Sequence, residues 1–91
     1  MDIATRFAEN LVRCRKRADL SQEELGLLSS LHRTEISLLE RGTRVPRIDT
    51  LVKLAGALSL EPGELLAGID WRPGTSTSGS FSIVAGDPRS N

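Results

Sequence analysis

The segment HRTEISLLERG, residues 32–42, carries the side chains of this chain that are best suited to polar recognition. Its apolar residues Ile36 and Leu39 are three positions apart, so a helix would place them on one face. The opposite face of that helix then carries Arg33, Thr34, Ser37, Leu38 and Arg41. Arginine offers a planar fork of donors that fits a guanine edge or a phosphate, and hydroxyl and methyl groups add shorter contacts. Such a face is suited to reading the edges of DNA bases.

Two residues of this segment fit that interpretation less well. Glu35 lies at the border of the outward face, where it is a solvated charge, an acceptor for cytosine N4, or a carboxylate that repels incorrect sites near phosphate. Leu38 is predicted to be better exposed than Glu35. It contacts a thymine methyl group, contacts a partner protein, or is an idle surface leucine.

The remaining candidate DNA contacts divide by position in the segment. Arg33 and Thr34, near its amino end, are the best candidates for base edges, followed by Ser37 and Leu38. Positive or polar groups around this face are predicted to contact phosphates. They are Gln22, His32, Arg41, Arg44 and Arg47. His32, the only histidine, is expected to start a helix or contact phosphate rather than to bind a metal or act as a base.

Five short helices must position these side chains, and apolar spacing with helix caps predicts their bounds. Ser21 and Glu24 form a capping-box pattern at the start of the second helix, and Gly42 is placed to end the third. The predicted helices are residues 3–18, 22–29, 33–41, 48–58 and 62–67. Links of two to six residues make this an all-α globule.

Two of these helices have a predicted buried stripe. In the first helix the stripe is Ile3, Phe7, Leu11, Cys14 and Ala18, and in the fourth it is Ile48, Leu51, Ala55 and Leu58. Cys14 is therefore interpreted as a small buried apolar residue rather than a reactive thiol.

The composition changes near Trp71, where a leucine-rich chain gives way to a Gly/Ser-rich tail. The predicted division is a helical domain at residues 1–70 and a tail at 71–91, flexible or dimer-forming. FSIVA at 81–85 is the only β-like run predicted in that tail. It is either one short strand, pairing with its copy in a second chain, or part of a disordered tail.

Composition excludes several classes of protein. With 12 basic and 12 acidic residues the net charge is zero, so nucleic-acid binding depends on where charges lie rather than on their sum. One cysteine, no secretory leader and no apolar run long enough for a membrane favour a cytoplasmic protein. The single histidine and the lack of a nucleophile beside a base argue against an enzyme, and no metal or cofactor is expected.

SQEEL, HRTEISLLERG, the proline at 46 and TLVKLAGAL occur in an order that resembles the phage-repressor-like, xenobiotic-response-element family of bacterial helix-turn-helix regulators. The resemblance covers about residues 7–68. It implies a five-helix DNA-binding domain in which Glu40 forms a structural ion pair with Arg15.

The chain departs from the family pattern around its second helix. Gly26 replaces the usual alanine and Ser30 the usual turn glycine, which implies a somewhat loose second helix. His32 takes the place of a small capping residue, and Leu27 and Leu28 occupy positions that are usually polar.

Together these observations predict a transcriptional regulator, a repressor by expectation, that binds double-stranded DNA. A lone unit contacts few bases, so we expect a homodimer on a two-fold operator with half-sites about 34 Å apart. Its dimer surface is either the fifth helix, with Leu65, Leu66 and Ile69, or the FSIVA segment. The alternative is a protein-interaction module of the same fold, antitoxin-like or anti-regulator, that binds an unknown partner through Leu27, Leu28 and Leu38.

Overall fold

The computed structural model describes residues 1–75 and 78–84. It contains five helices followed by two strands, which confirms the predicted fold class and five-helix arrangement. The elements are α1 (Ile3–Arg17), α2 (Gln22–Ser29), α3 (Arg33–Glu40), α4 (Ile48–Ala57), α5 (Pro62–Leu65), β1 (Ile69–Arg72) and β2 (Ser80–Ile83). Each helix ends within about two residues of its predicted bound, which is the usual accuracy of a helix terminus.

A single apolar core joins the five helices. Its buried members are Phe7, Leu11, Cys14, Leu25, Ile36, Leu39, Leu54, Ala55, Leu58 and Leu65. α1 and α2 both pack against α3, and α4 packs against α2 and α5. The recognition candidate α3 therefore rests on a scaffold of two other helices, which fixes the direction of its outer face.

Two residues predicted to be buried are exposed instead. Ile48 is 80% exposed because it begins α4, and the buried residues of that helix all lie in its second half, from Leu54 onward. Ala18 is exposed because it is the C-cap that follows α1 rather than part of its packed stripe. Helix periodicity predicted which face of each helix is buried, but not how far along the helix other residues pack against that face.

Side-chain caps hold the amino ends of α1 and α2. Ser21 Oγ accepts from the Glu24 backbone N–H at 3.0 Å, and Glu24 Oε1 accepts from the Ser21 N–H at 2.8 Å, as the capping-box pattern predicted. Asp2 caps α1 by accepting from the Thr5 N–H at 2.8 Å. Hydrogen bonds from these backbone N–H groups lower the pKa of the Asp2 and Glu24 carboxyls, so both side chains keep their negative charge in mildly acidic solution.

The turn between α2 and α3 passes very close to α2. The Leu31 N–H donates to the Gly26 carbonyl at 2.9 Å. A Cβ added at Gly26 would lie 2.7 Å from the Leu31 carbonyl oxygen. The glycine thus lowers the helix propensity of α2, as expected, but it also permits this tight approach between the two helices.

The same turn contains a serine in the left-handed conformation, Ser30, whose φ is 59°. Glycine adopts this conformation without the steric cost that a Cβ brings, although glycine also loses more backbone entropy on folding. We therefore expect Ser30→Gly to stabilise the protein by about 0.5–1 kcal/mol, measured by urea unfolding. Ser80→Gly, in the extended backbone of β2, is the matched control and should destabilise. A lower unfolding midpoint for Ser30→Gly would show that the left-handed turn carries no strain.

The two strands form an antiparallel hairpin within the chain. β2 lies at Ser80–Ile83, close to the predicted strand at 81–85, of which residue 85 is outside the described residues. Its partner β1 was not predicted from the sequence, because Ile69 was attributed to the region of the fifth helix. The alternation of apolar and polar residues in Ile69–Arg72 is the signal that could have revealed it. β1 lies across the predicted boundary between residues 70 and 71, and that domain division remains a prediction.

Two buried polar residues of α1 bind the carboxyl end of α5. Asn10 Nδ2 donates to the carbonyls of Leu65 and Ala67, both at 2.9 Å, and Arg6 Nε donates to the Ala67 carbonyl at 3.2 Å. Arg6 and Asn10 are almost fully buried. They satisfy carbonyl groups that a helix end leaves without partners. This pair of residues, here called the α1 clamp, was not recognised in the sequence.

Candidate nucleic-acid interface

The outer face of α3 begins with two exposed polar side chains. Arg33 and Thr34 lie in its first turn and are exposed, while Ile36 and Leu39 point into the core and have no accessible surface. Ser37, one turn further along the same face, is half-buried. The structure therefore presents the two best base-contact candidates together at the amino end of the helix.

Leu38 is half-buried, and so less accessible than its position on the helical wheel predicted. The chain folds back after α3, where the Thr43 hydroxyl donates to the Leu38 carbonyl at 2.8 Å and the Thr43 N–H donates to the same oxygen at 3.4 Å. The residues after α3 therefore lie against the backbone of Leu38. Leu38 lies four positions after Thr34, so the two residues share one side of α3.

Arg15 and Glu40 join α1 to α3 by a two-point ion pair. Arg15 Nε lies 2.6 Å from Glu40 Oε2, and Arg15 Nη2 lies 2.9 Å from Glu40 Oε1. The side chains are only 13% and 6% exposed, and Arg15 also donates to the Leu20 carbonyl at 2.8 Å. Hydrogen bonding to Glu40 raises the pKa of Arg15 above its ordinary value. The pair is a partly buried structural ion pair that holds α3 against α1.

Gln22, a predicted phosphate contact, extends this ion pair to α2. Its Nε2 donates to Glu40 Oε1 at 3.0 Å, and the side chain is half-buried. A side-chain amide has two donor hydrogens, so one is committed to Glu40. The structure thus gives Gln22 a role in positioning Glu40, whatever its second hydrogen contacts.

The other four predicted phosphate contacts are exposed, and two of them pair with carboxylates. Arg44 lies 3.4 Å from Glu35, with side chains 50% and 31% exposed, and Arg47 lies 3.4 Å from Asp49. Exposed ion pairs of this kind contribute about 0–1 kcal/mol, so a phosphate can replace the carboxylate at little cost. Arg41 and His32 are also exposed, and His32 caps α3 by its backbone alone.

The pair between Glu35 and Arg44 was not foreseen. It links the recognition candidate α3 to the loop that follows it, across nine positions of the chain. The sequence does show opposite charges at both ends of this stretch, but their approach depends on how the loop folds back. The structure therefore places Glu35 beside a predicted phosphate contact.

Among residues 1–75 and 78–84, no helix combines the length and the apolar character that a membrane crossing requires. Two helices joined by a tight turn, α2 and α3, packed on flanking helices, define a helix-turn-helix protein.

Comparison with known proteins agrees with that class. A helix-turn-helix family model matches residues 11–65, and the chain belongs to this family. It is a family of DNA-binding transcriptional regulators, of the controller-protein and phage-repressor type, and not a family of enzymes. The resemblance drawn from SQEEL and HRTEISLLERG is thereby confirmed.

Control proteins are prominent among the relatives. Control protein C.BamHI of Bacillus amyloliquefaciens is 44% identical over 50 residues, a match that spans 55% of this chain and 62% of that protein. The match thus covers less than two-thirds of this relative. Control protein C.SmaI of Serratia marcescens is 44% identical over 66 residues, which are 72% of this chain and 79% of that protein.

A solved structure gives the same result for the fold. The restriction-modification controller protein C.AhdI of Aeromonas hydrophila superposes with a TM-score of 0.66 and 40% sequence identity. The superposition covers 68% of this chain and 94% of that protein.

Proposed function

We propose that this regulator binds a two-fold operator as a homodimer, with α3 in the major groove of each half-site, and acts as a repressor by occupying that operator. The observation that carries the proposal is the exposed amino end of α3, where Arg33 and Thr34 project from a helix held by the Arg15–Glu40 pair. A helix of this diameter fits the major groove of B-DNA.

The proposed contacts follow from position on this surface. Arg33, Thr34, Ser37 and Leu38 contact base edges, with Arg33 directed to guanine O6 and N7. Gln22, His32, Arg41, Arg44 and Arg47 contact phosphates on either side of the groove. Exposure of Arg41, Arg44 and Arg47 supports this division, because phosphate contacts require accessible cations near the groove rather than a positive net charge.

The relatives suggest which genes are regulated. C.BamHI and C.SmaI are control proteins, and C.AhdI is a restriction-modification controller protein. We infer that this chain acts on DNA in the cytoplasm and controls genes of a restriction-modification system. The likeness in the DNA-binding region supports this inference.

Selection of bound sequences from a random duplex pool tests the proposal. The selected DNA should contain a two-fold motif, and its affinity should exceed that of scrambled DNA by a wide margin at two salt concentrations. A steep decrease of affinity with salt would reflect the phosphate contacts. If the folded protein enriches no sequence from the pool, the protein alone does not bind DNA sequence-specifically.

Glu35 allows a second test, which separates its possible roles. Its carboxylate lies beside Arg44 on the proposed DNA side and should repel phosphate. Glu35→Gln is therefore expected to raise affinity for operator and scrambled DNA alike, by about 2- to 5-fold, the equivalent of an exposed charge interaction. Binding isotherms for both DNAs give the result. Asp70→Asn, which removes a charge from β1, is the matched control and should leave both affinities unchanged.

The alternative role of Glu35 predicts a different outcome. If the Glu35 carboxylate accepts a hydrogen bond from cytosine N4, its removal weakens binding only to DNA that has a cytosine at that one base pair. Weaker binding of the selected operator by Glu35→Gln, with unchanged binding of scrambled DNA, would therefore contradict the repulsion and support a base contact.

The protein-interaction alternative has partial support in the structure. Leu27 and Leu28 are exposed, as that hypothesis requires, but the third member of the proposed patch, Leu38, is half-buried. Failure of the duplex selection would turn the search to a protein partner at Leu27 and Leu28. Enrichment of a two-fold motif would leave these leucines without a part in the main function.

A further inference from the structure

The hairpin has one apolar face and one polar face. Ile69 pairs with Ile83 and Trp71 pairs with Phe81, and all four lie on the same face because they alternate along the strands. The opposite face carries the pairs Asp70 with Ser82 and Arg72 with Ser80. The charges of the hairpin are therefore separated from its aromatic residues.

Only one end of the apolar face is covered by the domain. Ile69 is partly buried against the core, Ile83 is half-buried, and the Val84 N–H donates to the Gly68 carbonyl at 2.8 Å. At the other end Trp71 and Phe81 are each 56% exposed. The apolar face thus continues from the core to a surface on which nothing in the described chain packs fully.

The two aromatic rings form an ordered surface. Their centroids are 5.1 Å apart and their planes meet at 75°, an edge-to-face arrangement. Rings that already pack against each other lose little further freedom when a partner covers them. Aromatic residues of this kind often supply much of the binding energy at the centre of an interface.

We propose that Trp71 and Phe81 form the centre of the homodimer interface, each packing against the same pair of residues in a second copy of the chain. This inference rests on the homodimer of the proposed function and names its surface. A two-fold contact brings identical patches together, so a charge at the centre would meet its own copy. The patch carries no charge, because Asp70 and Arg72 belong to the other face.

The exposed area is of a suitable size for the centre of such an interface. Phe and Trp side chains bury about 150–250 Å² each, so the exposed fractions of Trp71 and Phe81 amount to about 200 Å² in each copy. A standard interface buries about 800 Å² per partner around an apolar core with a polar rim, and the aromatic pair would supply that core.

The position of the hairpin in the chain supports a role separate from DNA reading. The helix-turn-helix family match ends at residue 65, before β1 begins. The hairpin thus lies outside the region matched by the family model, and the outer edges of its two strands offer further backbone hydrogen bonds to a second copy.

Trp71 is the only tryptophan, so its fluorescence reports directly on this surface. In a dilution series of the full-length protein, the emission should shift to longer wavelength as the dimer dissociates. Acrylamide quenching should increase over the same concentrations, and sedimentation equilibrium gives the dimer fraction independently. A dimer that forms without any change in Trp71 emission or quenching would overturn the proposal, as would a wild-type protein that remains monomeric.

A charge placed on each face of the hairpin supplies the matched variants. Phe81→Lys should weaken dimerisation at least about 100-fold, because two lysines would meet at the centre of the interface. Ser82→Lys places the same charge on the opposite face, across from Asp70, and should dimerise as wild type does. Circular dichroism and thermal unfolding verify that both variants fold. A folded Phe81→Lys protein that still dimerises would refute the assignment.

DNA binding separates failure of this inference from failure of the proposed function. Phe81→Lys leaves α3 intact, so the variant should bind a single half-site with wild-type affinity. Its affinity for the two-fold operator should no longer exceed its affinity for a single half-site. If wild type selects an operator but Trp71 does not respond to dimerisation, the regulator stands and its interface lies elsewhere. If Phe81→Lys does not fold, the wild-type fluorescence series alone decides.

Discussion

Replacing Arg33 with alanine is expected to lower affinity for the selected operator by about 5- to 150-fold, the equivalent of 1–3 kcal/mol for a bidentate base contact. Arg33 is exposed at the amino end of α3, so its loss should not disturb the core. Affinity for scrambled DNA should decrease much less. A second selection with the variant should show relaxed preference at one position of each half-site.

Arg41→Ala provides the comparison for this result. Arg41 follows α3 and is a proposed phosphate contact, so its removal should weaken all sequences to a similar extent and reduce the salt slope by about one. Equal losses for operator and scrambled DNA in Arg33→Ala would place Arg33 in this second group and contradict the base contact.

Glu40→Gln is expected to lower the free energy of unfolding by about 3 kcal/mol, the usual cost of breaking a buried ion pair from one side. The substitution keeps the shape of the side chain but leaves the Arg15 guanidinium partly buried without its counter-charge. It also changes the acceptor that Gln22 uses. Urea unfolding without DNA measures the effect on stability.

Two further variants serve as comparisons for the stability of Glu40→Gln. Asp49→Asn disrupts the exposed pair with Arg47 and should change stability by no more than about 0.5 kcal/mol. The double variant Arg15→Met with Glu40→Leu should be more stable than Glu40→Gln alone, because no unpaired charge remains. If Glu40→Gln and Asp49→Asn have the same free energy of unfolding, the Arg15–Glu40 pair does not stabilise the fold and α3 is held by packing alone.

The helices could be predicted because their limits depend on nearby residues. The capping box of Ser21 and Glu24 forms as its spacing indicates. Gly42 has a φ of 72°, so the residue expected to end α3 does adopt the left-handed conformation. Pro62 occupies the first position of α5. Each of these features involves residues at most a few positions apart.

The features that were missed depend on distant parts of the chain. Asn10 reaches carbonyl groups more than fifty positions away, and no periodicity reveals such a contact. Ile48 fits the helical stripe of α4 but extends beyond the residues that would cover it. Likewise, the alternation of apolar and polar residues in β1 extends over only four residues, so it is present but weak as a signal.

For the candidate site, the sequence was informative about helix faces and less so about the loop. Arg33 and Thr34 are exposed as their positions on the helix require. The pairing of Glu35 with Arg44 results from the path of the chain after Gly42. That path is set by tertiary packing, which a helical wheel does not contain.

The α1 clamp and the Arg15–Glu40 pair lie on the same helix. Arg6 and Arg15 are nine positions apart in α1, which corresponds to about 14 Å along its axis. One end of that rod holds the chain just before the hairpin, and the other holds the end of α3. α1 is therefore a spacer of fixed length, and a tilt of α3, or of the segment at the end of α5, away from α1 would break hydrogen bonds that are partly or fully buried.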